Sequence, residues 1–545
     1  MSRFTELLYA RADSTSRGMV TGEPDAPMRR SWNDIHRLAR RMAGTLARYG
    51  VGPGDSVGIL AGLPADVAPA TQAVWIRGAA VTMLHQPTPR TDRTQWGANT
   101  RRIADMISAK VVVIGAPFEW AIPVVTSSGA TAITISELAA GAEIEPVAAA
   151  EHDIALQQLT SGSTGFPKAV RITHSNLFHN NAAIADRFEL ATDRDVLISW
   201  LPLFHDMGMI GFLTMPMQLG LETVNVTPMD FLRDPTLWAR LIDTYRGTIT
   251  AAPNFAYAIL ARQLVRLPED ALDLRSMRSM WNGAEPVDAD TMAAFAEAGG
   301  RFGLSPSALT PCYGMAETTL ATSAPDSPTG VVVDTVDADV LAAEHRALPA
   351  STGNLRRLVT LGSLIGGMTG RVVDAQGRAL PARSVGVIQV SGPSVAEEYV
   401  TERGTVTART ADGWLDTGDI GYFTEDGAVV VCGRMKDVII IEGRNIYPTD
   451  IERAAATVAG VRPGNVVAAR TDTFGVRESF IVTAETERHG AADDAARIER
   501  QIVQAVFDEV GVRPLEVRIV APGSVPKTSS GKLRRSLTVA SADPR

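Results

Sequence analysis

Along the chain, apolar residues alternate between helical spacing and short unbroken runs. Over Ser31–Tyr49 they recur at helical spacing, and Gly50 follows as a C-cap residue. Ser56–Leu60 then reads as a strand, Ala65–Arg77 as a helix and Ala79–Leu84 as a strand. Helix Ile103–Ala109 and strands Lys110–Gly115 and Thr131–Ile135 continue the series. A strand-like run opens Ile154–Gly165, followed by helix Ser175–Phe188, strand Val196–Leu201 and a long helix from Met207. Strands Thr223–Val226, Thr248–Ala252 and Ser279–Trp281 then alternate with helices Pro235–Tyr245, Asn254–Leu264 and Ala289–Ala298. Such alternation predicts an α/β fold with largely parallel sheets covered on both faces.

The character changes from Asp326 to Leu358, which reads as an excursion from the sheet with its own apolar run, Val331–Val333, Val336, Val340 and Leu341. Beyond it, the short runs Gly370–Val373, Gly386–Ser391 and Ala428–Cys432 predict a β-rich region. A boundary is expected at Arg434–Asp437, before a last stretch mixing strands and helices.

Composition narrows the class. At 545 residues, with 45% hydrophobic and 21% charged positions, the chain has the make-up of a soluble globular protein. A net charge of −9 argues against nucleic acid as a partner. Cys312 and Cys432 are the only cysteines, which excludes a disulfide framework and fits a reducing cytoplasm. Glu6 interrupts what would be the apolar core of a signal peptide. The uncharged runs Trp120–Ser136 and Met207–Leu221 are short for a bilayer and contain proline and glycine, so no transmembrane segment is expected.

The candidate chemistry centres on Leu159-Thr-Ser-Gly-Ser-Thr-Gly-Phe-Pro-Lys168. Gly162 and Gly165 let backbone N–H groups converge on one point, Ser161, Ser163 and Thr164 add hydroxyls, and Lys168 adds a charge suited to phosphate. No Gly-Lys-Ser/Thr follows at Walker A spacing, and a Ser/Thr/Gly run is equally the composition of a solvated turn. His205-Asp206 near a glycine suits a helix cap as well as catalysis. Asn282-Gly-Ala-Glu-Pro286 is a turn by composition. Tyr313-Gly-Met-Ala-Glu317 ends on a carboxylate of the kind that binds Mg²⁺ beside substrate phosphates. Asp419 is a short acceptor able to grip both hydroxyls of a ribose. Ser524–Arg535 is a basic, glycine-hinged loop that could equally be a flexible tail.

In order and spacing, the Thr160–Lys168 loop, Tyr313-Gly-x-x-Glu317, Thr417-Gly-Asp419, Gly433-Arg-x-Lys-Asp437 and Pro526-Lys-Thr-x-x-Gly-Lys532 resemble the adenylate-forming superfamily across the whole chain. Ser199–Gly208, Ala251–Tyr257, Asn282–Pro286, Gly443–Pro448 and the segment Asp326–Leu358 look like its fatty acyl-AMP ligase branch. The resemblance implies a large N-terminal domain, 1–434, of two doubly wound sheets plus a β-rich subdomain, with the insertion 326–358. A small mobile α+β domain, 435–545, would carry Lys532 and pivot at Lys436. By position, Thr160, Ser161, Ser163, Thr164 and Lys168 would cradle the ATP phosphates and Glu317 would hold Mg²⁺. Gly283, Ala284, Glu285 and Tyr313 would border adenine, with Gly314 and Met315 also on the nucleotide. Asp419 and Arg434 would hold the ribose, Lys532 would reach the reacting oxygens, and His205 would lie at the mouth of the acyl pocket.

The resemblance also implies a medium- or long-chain fatty acid as substrate and the phosphopantetheine of an acyl carrier protein or polyketide synthase as acceptor. Met207–Leu221 and Phe255–Leu264 suit an alkyl chain, although their composition is equally that of an ordinary core. An acyl-CoA ligase shares the first half-reaction; Arg444, where CoA ligases usually carry a second glycine, and the insertion weigh against it. Intact Lys532, Glu317 and Asp419 argue against a non-catalytic nucleotide-binding protein.

Overall fold

The computed structural model describes the chain apart from residues 89–90, 128, 161–165, 327, 442–443, 463, 472–478, 528–532, 534 and 536–545. Two compact units divide the chain. One takes Met1–Val332, Leu361–Gly370 and Val390–Leu415; the other takes Val333–Thr360, Arg371–Gln389 and Asp416–Arg545.

The first unit holds two mostly parallel sheets. In one, strands lie in the order Leu309–Pro311, Ser279–Asn282, Ile249–Ala252, Val196–Ser199, Glu222–Asn225, Gly18–Thr21, Met28–Ser31, and only the last pair is antiparallel. In the other the order is Gly404–Thr407, Glu398–Thr401, Lys168–Thr173, Ile154–Thr160, Ala80–Met83, Ser56–Leu60, Ala109–Ile114, Thr131–Thr134. Its first four strands pair antiparallel and the rest parallel. Ser56–Leu60 is buried at every residue, as a central parallel strand covered on both faces should be. Helices start where the sequence offers caps: Ser31 and Asp34 form a capping box on Trp32–Arg48, and Thr173 and Asn176 form one on His174–Arg187.

The α/β reading holds, with local corrections. The helix expected at Ile103–Ala109 runs Arg93–Met106, begun by Asp92, whose carboxylate accepts from the Thr94 and Gln95 amides. Its polar first turns hid it, and Ala109 already belongs to the next strand. The long helix expected from Met207 is a π-helical stretch, Met207–Thr214, followed by the short helix Met215–Leu219, which Gly220 stops in the left-handed conformation. Helix Arg3–Arg11 and the hairpin Glu398–Thr401 with Gly404–Thr407 had no clear apolar period.

The second unit takes the expected excursion from Val333 onward, as an antiparallel pair, Val333–Asp337 with Leu355–Val359, joined through helix Ala338–Glu344. Val336 and Leu341 pack with Tyr422, Val430 and Tyr447. Arg356 makes a buried ion pair with Asp450 at 3.0 Å and lies 4.1 Å over the Tyr447 ring. The C-terminal part packs helices Pro448–Ala456 and Ala492–Val510 on a sheet of Val466–Thr471, Ser479–Glu485 and Glu516–Val520. Ile498, Ile502 and Val506, four apart on one helical face, meet Phe480 and Val482.

Candidate active site

Parallel strands leave their carboxyl ends on one edge of the first sheet, so the loops after Ser199, Ala252, Asn282 and Pro311 emerge together. Val196–Ser199 is followed in sequence by a neighbour on one side, Glu222–Asn225, and then by one on the other, Ile249–Ala252. Ligands bind in α/β sheets at such a switch of direction. His205 and Asp206 follow the strand at that switch. The second sheet reaches the same loop: the Gln158 side-chain amide donates to the Phe204 carbonyl at 3.0 Å.

Thr160 and Lys168 face each other across the hairpin formed by Ile154–Thr160 and Lys168–Thr173. Lys168 Nζ stands 3.1 Å from Glu317 Oε1 and 3.4 Å from the Tyr399 ring centroid, and the Tyr399 hydroxyl donates to the same Glu317 oxygen at 3.2 Å. Glu317 is mostly buried, its side chain 16% exposed. A local device aims it. It sits in the 3₁₀ turn Ala316–Thr318, and Thr319 follows with φ 71° and ψ −62°. The Leu320 amide donates back to the Thr318 carbonyl at 2.9 Å, which makes Thr319 the centre of a γ-turn of the rare, strained kind. The buried Thr319 hydroxyl, donating to the Ser394 carbonyl at 2.7 Å, helps hold that conformation.

Tyr313 and Met315 are buried next to this turn. Gly314 is required between them, because a Cβ there would lie 1.9 Å from the Leu320 carbonyl oxygen. Gly283 and Ala284 follow strand Ser279–Asn282, and Ala284 takes φ 67°, a left-handed conformation that costs a non-glycine residue energy. Glu285 accepts the Phe255 amide at 2.6 Å, so its carboxylate caps helix Asn254–Leu264, which has no side-chain cap of its own. His205 Nδ1 is 2.5 Å from Asp206 Oδ1, and that oxygen also accepts the Met207 amide, so Asp206 orients the ring and caps the next element together. Met209, Ile210, Phe212 and Leu213 beyond it are all buried.

In the second unit, Asp419 and Arg434 are cross-strand partners, with Nε 2.8 Å from Oδ1; Asp419 is buried and Arg434 half exposed. Lys436 is exposed in the 3₁₀ turn Met435–Asp437. Ser161, Ser163, Thr164 and Lys532 lie outside the described residues. Tyr399 is the residue that sequence reasoning missed. Its strand register against Val170 is invisible in the sequence.

Among the described residues no cluster of three or more acidic, His or Cys side chains could enclose a metal. A lone carboxylate at Glu317 suits Mg²⁺, which keeps its waters and binds through one or two carboxylates plus substrate phosphates.

Residues 12–400 match the family model described as AMP-binding enzyme. The chain belongs to this family. Residues 443–537 match the AMP-binding enzyme C-terminal domain. The Rv1013 protein of Mycobacterium tuberculosis is 54% identical over 540 residues, covering 99% of both chains. Long-chain-fatty-acid–AMP ligase FadD26 of Mycobacterium marinum is 30% identical over 93% of this chain and 90% of its own. A structure from a study of fatty acyl-adenylate ligases from E. coli and L. pneumophila aligns with TM-score 0.89 at 29% identity, covering 99% of this chain and 96% of that one. The large N-terminal and small C-terminal parts of the adenylate-forming fold are thus both present. No helix among the described residues is long and apolar enough to cross a membrane.

Proposed function

We propose that the chain is a fatty acyl-AMP ligase. It activates a medium- or long-chain fatty acid with ATP and passes the acyl group to the phosphopantetheine of an acyl carrier protein or polyketide synthase. The observation that carries the reading is the Lys168–Glu317 pair, a phosphate-seeking cation against a magnesium-seeking carboxylate. The relatedness to FadD26 and to the fatty acyl-adenylate ligase structure supports the fatty acid.

In the first half-reaction a carboxylate oxygen of the fatty acid bonds to the α-phosphorus, and the bond to the bridging oxygen of the β-phosphate breaks. Acyl-adenylate forms and pyrophosphate leaves with the electron pair. Two anions are being joined, so the chain must supply positive charge and fixed donors. Thr160, Ser161, Ser163, Thr164 and Lys168 cradle the β- and γ-phosphates, and Lys532 reaches between carboxylate and α-phosphate. Glu317 would hold Mg²⁺, whose charge would offset that of the phosphates. Gly283, Ala284, Glu285, Tyr313, Gly314 and Met315 border the adenine side. Asp419, already paired with Arg434, is the ribose acceptor. His205, its ring held by Asp206, lies at the mouth of the acyl pocket.

The N-terminal domain is taken as 1–434 and the mobile C-terminal domain as 435–545, turning at Lys436 between half-reactions. Arg356 of the insertion contacts Asp450 and Tyr447; an insertion that restrained the C-terminal domain in this way would disfavour free CoA as acceptor. Fatty-acid-dependent ATP–pyrophosphate exchange tests the first half-reaction. Addition of CoA or of a phosphopantetheinylated carrier protein then tests the second. No exchange with any acid from eight to eighteen carbons overturns the proposal, and rapid acyl-CoA formation replaces it with an acyl-CoA ligase.

A further inference from the structure

Tyr399 touches both charged groups of the candidate phosphate site, and the strand pairing explains why. Strand Glu398–Thr401 runs antiparallel to Lys168–Thr173, with Tyr399 opposite Val170 and Val400 opposite Ala169. Side chains alternate along a strand, so Lys168, two residues before Val170, projects from the same face as Tyr399 and is its diagonal neighbour. That register lays the ammonium on the ring at 3.4 Å, and the phenol reaches past it to Glu317 Oε1 at 3.2 Å. Ala396 in the preceding loop donates its amide to the Glu317 carbonyl at 2.9 Å, so one segment holds both the backbone and the side chain of that residue.

We propose that Tyr399 is a positioning residue for nucleotide and metal, with its two halves serving different partners. The ring gives the Lys168 ammonium a fixed perch, so that the cation is ordered before phosphate arrives. The hydroxyl pins one oxygen of Glu317. When Lys168 turns from Glu317 to phosphate, that hydrogen bond remains and keeps the carboxylate aimed at the place where Mg²⁺ would join it. Without the phenol oxygen, Glu317 loses its only neutral donor among the side-chain contacts described for it. Without the ring, Lys168 loses its perch too. The inference rests on the ATP-using reading above.

The test is ATP binding by titration calorimetry without fatty acid, with and without Mg²⁺, on the full chain and on Tyr399→Phe and Tyr399→Leu. Thermal melting serves as the control for folding. Tyr399→Phe is expected to bind metal-free ATP like the parent and to lose about tenfold in the gain that Mg²⁺ brings, the effect of one hydrogen bond to a charged group. Tyr399→Leu is expected to weaken ATP binding both with and without Mg²⁺. If Tyr399→Phe keeps the full Mg²⁺ gain, or melts well below the parent, the hydroxyl serves no nucleotide role and the inference fails. If the two variants weaken binding alike, the division of labour between ring and hydroxyl fails with it. If the unaltered chain binds no ATP at all, the functional reading itself is what fails.

Discussion

Lys168 Nζ and Glu317 Oε1 stand 3.1 Å apart, so the cation and the carboxylate of the candidate phosphate site compensate each other across a long sequence separation. Neither is left as a bare buried charge. The Lys168 side chain is 30% exposed and Glu317 is half that, so the pair is accessible enough to open when a stronger partner for each arrives. A triphosphate with its metal is such a partner, because it offers the ammonium oxygens of higher charge and the carboxylate a divalent cation.

Replacing Lys168 with Ala should therefore raise the KM for ATP more than it lowers kcat. One charge-assisted hydrogen bond to phosphate is worth about 2 kcal/mol, or roughly thirtyfold in binding. Pyrophosphate exchange at varied ATP would show this. An unchanged KM with a collapsed kcat would instead place Lys168 on the reacting α-phosphate.

Lys532→Ala should sharply slow acyl-adenylate formation while the chain stays folded. Losing a cation matched to the transition state should cost on the order of 3 kcal/mol, about a hundredfold in rate. Near-normal adenylate formation by a variant with parental melting would remove Lys532 from the mechanism.

What the sequence made legible was local. The strand Ser56–Leu60 and the helix Asn254–Leu264 could be read to the residue, because an unbroken apolar run and a 3.6-residue period each carry their own signature. Glu317 and Asp419 stood out by residue type and spacing. Pairing in space was not legible. Nothing in the local pattern announces that Tyr399 lies diagonal to Lys168, or that Glu285 caps a helix thirty positions earlier. The π-helical turn at Met207–Thr214 was also hidden, since its apolar residues fit an ordinary helix equally well.

His174 should make stability depend on pH. Its ring is fully buried, Nδ1 lies 3.1 Å from the Ser2 hydroxyl, and Nε2 has no hydrogen-bond partner among the described residues. Burial pushes its pKa down to about 4. Between that value and the ordinary value near 6.5, the unfolded chain takes up a proton that the folded chain refuses. Stability from this residue is therefore complete above pH 6.5 and falls as the pH drops toward 4. At pH 5 the loss should be about 2 kcal/mol. Urea midpoints at pH 7 and pH 5, compared with those of His174→Asn, check it: the variant should be less stable at pH 7 but lose less on acidification. Parallel losses in the two proteins would mean that carboxylates alone govern the acid sensitivity.

The docking of the insertion gives the sharpest test of the acceptor. Arg356 and Asp450 form their ion pair with side chains only 8% and 14% exposed, and Arg356 Nη2 also donates to the Cys432 carbonyl at 3.2 Å. Replacing Arg356 with Met removes the cation and leaves Asp450 as an under-compensated carboxylate, with Arg453 at 3.8 Å its nearest remaining cation among the described residues. Breaking one side of a buried pair costs about 3 kcal/mol, whereas replacing both sides by apolar groups can be close to neutral. Arg356→Met should therefore loosen the insertion, and the double variant with Asp450→Leu should recover much of the loss. If the docked insertion is what disfavours free CoA, acyl-CoA should rise from a low baseline in the single variant and fall back in the double one, with pyrophosphate exchange unchanged in both. Chromatography of reactions holding ATP, Mg²⁺, a long-chain acid and CoA reads this out directly. Acyl-CoA formation that is already fast in the unaltered chain, or that ignores the stability of the pair, would show that the insertion does not choose the acceptor.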